Sequence, residues 1–270
     1  MIKMLLAVAL LLVVVVFVAN RIVRASKNQQ VIDASDAAKR SLCLASIVAR
    51  TNLESESKLE SADKLSGSSD HTFQENQQHF MQSSGLWDAL SSHERTLLGK
   101  PLGAWSTQDI ADGHWRAEAL GVLLWALQQN GDLVPYDKQI PVANLPEPTP
   151  DASARFIGNA VLRNKDEITE ARSIAELWLW RARTTQLQLS GATPPDGWTF
   201  EKIIARAAGG AQSKKVFLPI DHDFPALNKA YSKLSEEEWR TMRSIAQERL
   251  YALNWLCRYA ADWDSVPTGT

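Results

Sequence analysis

Residues 119–127 read ALGVLLWAL, an unbroken apolar stretch that determines the architecture. A helix that is apolar on every side has no face for water and belongs in the centre of a fold. The stretch is too short to cross a bilayer, which needs about 20 apolar residues. Because Ser106 or Thr107 offers a capping side chain upstream, the pattern predicts a central helix over residues 108–129.

Helical periodicity also marks the segments around this helix. A Ser235-x-x-Glu238 capping box opens a last helix that runs to about Tyr259. Its apolar residues recur at steps of three and four, as a buried helix face requires: Trp239, Met242, Ala246, Leu250, Leu253, Leu256 and Ala260. A second box, Ser91-x-x-Glu94, opens a short helix. Further helices are predicted over residues 35–50, 72–82, 164–189 and 197–208.

Loops and solvated segments complete this outline. Five prolines between residues 132 and 151 predict a long irregular connection. On the helix over residues 35–50, we expect Lys39, Arg40 and Arg50 on the solvent side. The segment 52–70 is rich in serine and charge, which predicts a solvated helix or a linker. The fold class is therefore mainly α, with a single multi-helix domain over residues 38–270.

The N-terminal residues predict a membrane anchor. Every residue from Met4 to Ala19 is apolar, and these residues would span about 24 Å as a helix. That length suffices if Lys3 and Arg21 extend to the headgroups. A cleaved signal peptide is the alternative, but it would need small residues before the cut. We therefore predict a transmembrane anchor or uncleaved signal over residues 1–20, with membrane contact through residues 2–19, and a juxtamembrane linker over residues 21–37.

Basic residues near the anchor favour a cytoplasmic domain over a periplasmic one. Lys3 precedes the apolar stretch, whereas Arg21, Arg24 and Lys27 follow it, and positive charge accumulates on the cytoplasmic side. The two cysteines, Cys43 and Cys257, suit buried thiols in a reducing compartment. A disulfide between them would indicate an oxidising compartment and would reverse the topology.

A few charged residues accompany the two central helices and form the candidate site. Arg116 and Glu118 stand where the helix of residues 108–129 enters the core, and Arg249 lies near the apolar stripe of the last helix. One hypothesis is that Arg116, Glu118, Arg249 and Asp264 converge as a buried network lining a ligand pocket. The alternative is a structural ion pair that fixes the C-terminal tail, because buried charges are costly and usually paired.

Other chemistry is weakly indicated. His114 and Glu118 share a helix face, and Asp221-His222-Asp223 lies in a proline-flanked loop. Either could contribute to a metal or acid–base site, but a third ligand is missing and local pairing or a solvated turn is the favoured interpretation. No HExxH, paired CxxC, glycine-rich phosphate loop or GxSxG elbow occurs in the sequence. We predict neither a metal nor a cofactor.

Two strings give the chain a family resemblance. Residues 115–127, WRAEALGVLLWAL, and residues 248–256, ERLYALNWL, followed by Trp263-Asp264, resemble the hallmarks of the DUF4272 family of bacterial domains. Residues 39–50, KRSLCLASIVAR, resemble that family's first helix. The resemblance covers about residues 38–270. It implies a mostly helical fold with no established activity, and it supplies no catalytic residues.

These observations leave two classes of function. The sequence has 29 Lys+Arg against 31 Asp+Glu, so a strongly basic nucleic-acid-binding protein is excluded on charge. The anchor, the missing motifs and ten tryptophans favour a membrane-tethered, non-enzymatic interaction or accessory module with a protein partner. The alternative is an enzyme or small-ligand binder with a pocket lined by Arg116, Glu118 and Arg249.

Overall fold

The computed structural model describes residues 30–60, 69–142 and 144–269. Its helices are α1 (Ala34–Glu60), α2 (Ser69–Ser83), α3 (Ser92–Leu98), α4 (Thr107–Ala126), α5 (Pro150–Gly158), α6 (Lys165–Leu189), α7 (Phe200–Ser213) and α8 (Glu236–Leu256). Strands β1 (Pro225–Ala226) and β2 (Lys229–Ala230) form an antiparallel hairpin. Single 3-10 turns lie at Trp87–Ala89, Tyr231–Lys233 and Trp263–Ser265. The mainly α prediction is confirmed for the residues described.

Helix α4 lies at the centre of the helical array. It packs against α1 on one side and α8 on the other, and α8 packs in turn against α6. Every residue of the 119–127 stretch is buried, as the all-apolar pattern predicts. The helix ends at Ala126 rather than at residue 129. Residues 132–142 and 144–149 are irregular, as their prolines predict, whereas Pro150 and Asp151, which were expected in the same connection, begin the short helix α5.

Two glycines on α4 allow close approach of neighbouring segments. A Cβ at Gly113 would lie 2.1 Å from Thr51 Oγ1, so α1 and α4 cross in close contact there. A Cβ at Gly121 would lie 2.5 Å from Ile140 Cγ2. The loop over residues 132–142 is therefore seated directly on the central helix.

The predicted helix starts are confirmed by their caps. The hydroxyls of Ser91 and Ser235 each accept a hydrogen bond from the backbone N–H three residues on, and the Glu94 and Glu238 carboxylates accept from the serine N–H groups in return. Ser106 caps α4 in the same way. These local sequence signals define where three of the helices begin.

The expectation that Arg40 and Arg50 face solvent is wrong. Both are buried, at 4% and 0% exposure. Arg40 pairs with Glu94 of α3, and Arg50 Nε donates to Glu54 Oε1 at 2.9 Å. Helix α1 also continues to Glu60, beyond the predicted end at residue 50. The segment over residues 86–105 covers this face of α1, so its arginines need buried carboxylates as partners.

No helix among the described residues is long and apolar enough to cross a membrane. The predicted anchor over residues 1–20 lies outside the described residues, as does most of the predicted linker. Helix α1 begins at Ala34, so the last residues of that linker segment form its first turn.

Both cysteines are free and buried, and they belong to two different core clusters. Burial raises the pKa of Cys43 to about 12 and that of Cys257 to about 11. The protonated thiols therefore behave as small apolar side chains within these clusters.

Candidate functional site

Glu118 and Arg249 form an ion pair in the centre of the fold. Arg249 Nε donates to Glu118 Oε2 at 2.9 Å, and the side chains are 0% and 3% exposed, respectively. Helices α4 and α8 pack side by side, which brings the two residues together across their interface. The structure thus joins two of the residues that the sequence selected as site candidates.

The remaining polar atoms of these two side chains bind the loop over residues 132–142. Arg249 Nη1 donates to the carbonyl of Val134 at 2.7 Å, and Nη2 donates to the carbonyl of Lys138 at 2.6 Å. Glu118 Oε1 accepts from the N–H of Ile140 at 2.8 Å. A loop without helical or sheet hydrogen bonds needs such partners for its backbone groups. The pair therefore fixes the shape of the loop.

The other two candidates have different partners. Arg116 Nη1 donates to Glu248 Oε2 at 2.9 Å, and its guanidinium lies 4.6 Å from the centre of the Tyr251 ring. Burial raises the pKa of Glu248, and the Arg116 charge opposes this rise. Asp264 Oδ2 accepts from the N–H of His93 in the first turn of α3, at 3.0 Å. Among the described residues, no polar contact joins Asp264 to the other three.

The Asp221-His222-Asp223 loop is held by its last residue. Asp223 is buried and accepts two hydrogen bonds of 2.7 Å from the Arg181 guanidinium. Burial opposes ionisation of Asp223, but Arg181 and the N–H groups of Phe224 and Ser232 lower its pKa below the ordinary value. The group is a structural anchor for the loop that leads into the hairpin.

His114 lies on the outer part of α4 rather than beside Glu118 in the core. One of its ring nitrogens, Nε2, is 3.0 Å from the hydroxyl of Ser55 on α1. Within the described part of the chain, no three His, Cys, Asp or Glu side chains are grouped so that they could hold a metal ion.

A groove that the sequence did not indicate lies on the outer side of the 132–142 loop. Its volume is about 830 Å³, within the range of small-molecule sites. It is lined by residues 132–138 of the loop, by the first half of α6 with Arg163 just before it, by residues of the segment 216–228 with the hairpin turn, and by Trp125 at the end of α4. We call it the aromatic groove, because Trp125, Tyr136, Trp178 and Phe217 contribute to its walls.

Tyr136 links this groove to the buried ion pair. Its ring stacks on Trp178 with the ring centres 5.1 Å apart and the planes 11° from parallel. The Arg249 guanidinium lies 4.6 Å from the centre of the same ring. Tyr136 therefore connects the buried pair to the groove wall, of which its ring is a part.

Charged side chains surround the mouth of the aromatic groove. Four are carboxylates, Asp132, Asp137, Glu167 and Glu170, and two are cations, Lys138 and Arg163. The Arg163 guanidinium donates to the carbonyls of Trp125, Asn130 and Gly131, and lies 3.4 Å from the Glu167 carboxylate. The rim therefore carries an excess of negative charge.

Comparison with known proteins gives a family and no activity. A family model described as a domain of unknown function, DUF4272, matches residues 16–208. The match includes the strings at 39–50 and 115–127, but it begins before residue 38 and ends before the string at 248–256. No curated protein and no solved structure matches the chain. Because the family model matches well over half of its length, the chain belongs to the DUF4272 family.

Proposed function

We propose that the chain is a membrane-tethered, non-enzymatic binding module whose binding surface is the aromatic groove. The observation that supports this most directly is the commitment of Arg249: the side chain is fully buried, and its Nε, Nη1 and Nη2 atoms all donate to groups of the chain itself. Such a guanidinium is not available to a ligand. The aromatic groove, in contrast, is open and lined by apolar rings.

The same contacts weigh against the enzymatic alternative. A general acid or base must come within about 3 Å of the proton that it transfers. Both oxygens of Glu118 already accept hydrogen bonds in the core, and Arg116 is engaged by Glu248. A pocket lined by Arg116, Glu118 and Arg249 would require these ion pairs to open, which costs several kcal/mol per uncompensated buried charge.

The tether is the second part of the proposal. Residues 4–19 are entirely apolar, and the basic residues that follow them favour a cytoplasmic domain. Membrane fractions extracted with alkaline carbonate should retain the full chain and release a chain that starts at Asn28. Recovery of the full chain in the soluble fraction would contradict the tether without affecting the groove.

Photo-crosslinking in native membranes tests the groove. A benzophenone amino acid replaces either Leu227, which is 42% exposed on the groove rim, or Leu189, which is 67% exposed at the far end of α6. We expect a defined adduct, measured by mass spectrometry, from position 227 only. Glu170→Trp should abolish it by filling the groove mouth, whereas Gln186→Trp, an exposed position on the same helix, should not.

Each result of that experiment bears on the proposal. Equal adducts from both positions, or an adduct that persists in Glu170→Trp, would contradict binding in the groove. The enzymatic alternative predicts something different: a metabolite that raises the melting temperature of the chain, and whose effect is lost in Glu118→Gln but kept in Glu170→Trp, which blocks the groove. That result, in a variant that remains folded, would replace the proposal.

A further inference from the structure

We propose that the aromatic groove binds an organic ammonium ion, an amine with an apolar body. This inference rests on the proposed function and adds the chemical class of the ligand. It depends on three features of the described residues: the composition of the walls, the charge of the rim, and one carboxylate oxygen that receives no hydrogen bond.

The walls suit the apolar part of such a ligand. Ile174 and Phe217 are half-buried and face the groove together with the edge of the Tyr136–Trp178 stack. Leu227 adds an exposed apolar side chain at the hairpin turn. Apolar walls with a few polar groups are the usual composition of small-molecule sites. The ligand therefore needs a hydrocarbon or aromatic portion.

The rim favours a positive charge on the ligand. Among the described residues, Asp132 and Glu170 have no ion-pair partner, and both are exposed where they line the groove. Arg163 is held by three backbone carbonyls and pairs with Glu167, so its charge is mainly offset by that carboxylate. Lys138 is the remaining cation of the rim. An anionic ligand would meet this surplus of carboxylates, whereas a cation would reduce it.

Asp137 supplies an acceptor at the same rim. Its Oδ2 accepts from the N–H of Leu227 at 2.9 Å. Its Oδ1 is buried and has no hydrogen-bond partner among the residues that the structure describes. A buried acceptor without a donor is unfavourable, and a charged N–H group is the strongest donor that a ligand could bring. The exposed carboxylates of Asp132 and Glu170 are therefore the acceptors that an ammonium group meets directly, and Asp137 Oδ1 becomes one once its side chain turns toward the groove.

A matched set of three probes tests the inference. Phenylbutylamine, phenylbutanol and phenylbutyrate share one apolar body and differ in charge. Each is titrated into the full chain in zwitterionic lipid nanodiscs and followed by ligand-observed NMR. Nanodiscs with Glu170→Trp report binding outside the groove, and Gln186→Trp is its matched control. We expect a dissociation constant for the amine in the millimolar range or tighter, as for small ligands in general, and about tenfold weaker binding of the alcohol.

Charge-removing variants separate the two levels of the proposal. The double variant Asp132→Asn/Glu170→Gln should bring amine binding down to that of the alcohol, and Glu237→Gln, an exposed carboxylate on α8, should leave it unchanged. If the alcohol or the butyrate binds as tightly as the amine and Glu170→Trp blocks it, the groove is a binding site and the ammonium inference is overturned. If the amine does not bind, the inference fails. If the probes bind and the Glu170→Trp substitution weakens none of them, the groove and the proposed function fail together.

Discussion

Replacing Arg249 by Met removes a fully buried guanidinium that bridges α8, α4 and the 132–142 loop. The substitution leaves the Glu118 carboxylate at 3% exposure without its cation. It also removes the donors for the carbonyls of Val134 and Lys138. Breaking a buried ion pair by removing one partner costs about 3–5 kcal/mol. We expect a loss of that size in the free energy of unfolding.

A thermodynamic cycle distinguishes the stranded charge from simple loss of packing. Glu118→Leu combined with Arg249→Met leaves no buried charge, although the Ile140 N–H and the loop carbonyls still lack partners. Unsatisfied backbone groups cost about 1–3 kcal/mol each, and local rearrangement toward water lowers this cost. The double variant should therefore be more stable than the sum of the two single variants predicts.

Urea unfolding followed by tryptophan fluorescence measures these differences. For a domain of this size, a loss of about 3–5 kcal/mol corresponds to a fall of roughly 6–20 °C in melting temperature. A change below about 1 kcal/mol for Arg249→Met would refute the reasoning, since surface ion pairs contribute no more than that. Strict additivity in the double variant would also refute it, because the two charges would then be independent.

Three further outcomes follow from other parts of the structure. Gly121→Ala should destabilise the fold by about 1–3 kcal/mol, because the new Cβ would lie 2.5 Å from the Ile140 side chain. Gly131→Ala, with open space around it, should not change the unfolding midpoint. The pKa of Asp223 is lowered in the folded state. The contribution of this carboxylate to stability is therefore present above the ordinary carboxyl pKa and is lost as the pH falls through the lower folded value. The difference in melting temperature between the wild type and Asp223→Asn should shrink on acidification. Burial raises the pKa of Cys43 to about 12 and of Cys257 to about 11, so neither thiol should react with Ellman's reagent at pH ~8 until urea unfolds the chain; rapid labelling of the native chain would contradict their burial.

Local patterns were sufficient for the framework of the fold. The all-apolar stretch at 119–127 identified the central helix, and the capping boxes at Ser91 and Ser235 marked two helix starts. The stripe from Trp239 to Leu256 identified the buried face of α8. Each of these signals lies within one helix, so its periodicity or cap is visible without knowledge of the neighbours.

Charged residues inside helices were harder to place. Arg40 and Arg50 look like solvent-facing residues of an amphipathic helix, but the segment over residues 86–105, which is distant in sequence, covers them. Their partners, Glu94 on α3 and Glu54 one turn along α1, decide whether burial is tolerable. A sequence pattern shows the charge of a residue, but it does not show which segment of the chain will cover that residue.

The aromatic groove could not be predicted for a related reason. Its walls come from the loop after α4, from α6 and from the hairpin before α8, which are far apart in sequence. None of the three segments carries a motif. The stacking of Tyr136 on Trp178 depends on tertiary contacts, and these determine the shape of the groove.

The sequence did, however, select residues that govern this groove indirectly. Arg249 contacts one face of Tyr136 and holds the carbonyls on either side of that residue, while Trp178 stacks on its ring within the groove wall. Glu118 holds the following part of the loop through the Ile140 N–H. The pair is a structural ion pair, as the second hypothesis held, but it positions the loop that forms one wall of the proposed binding site rather than the C-terminal tail. A variant that weakens the pair should therefore alter binding in the groove even though neither charge touches the ligand.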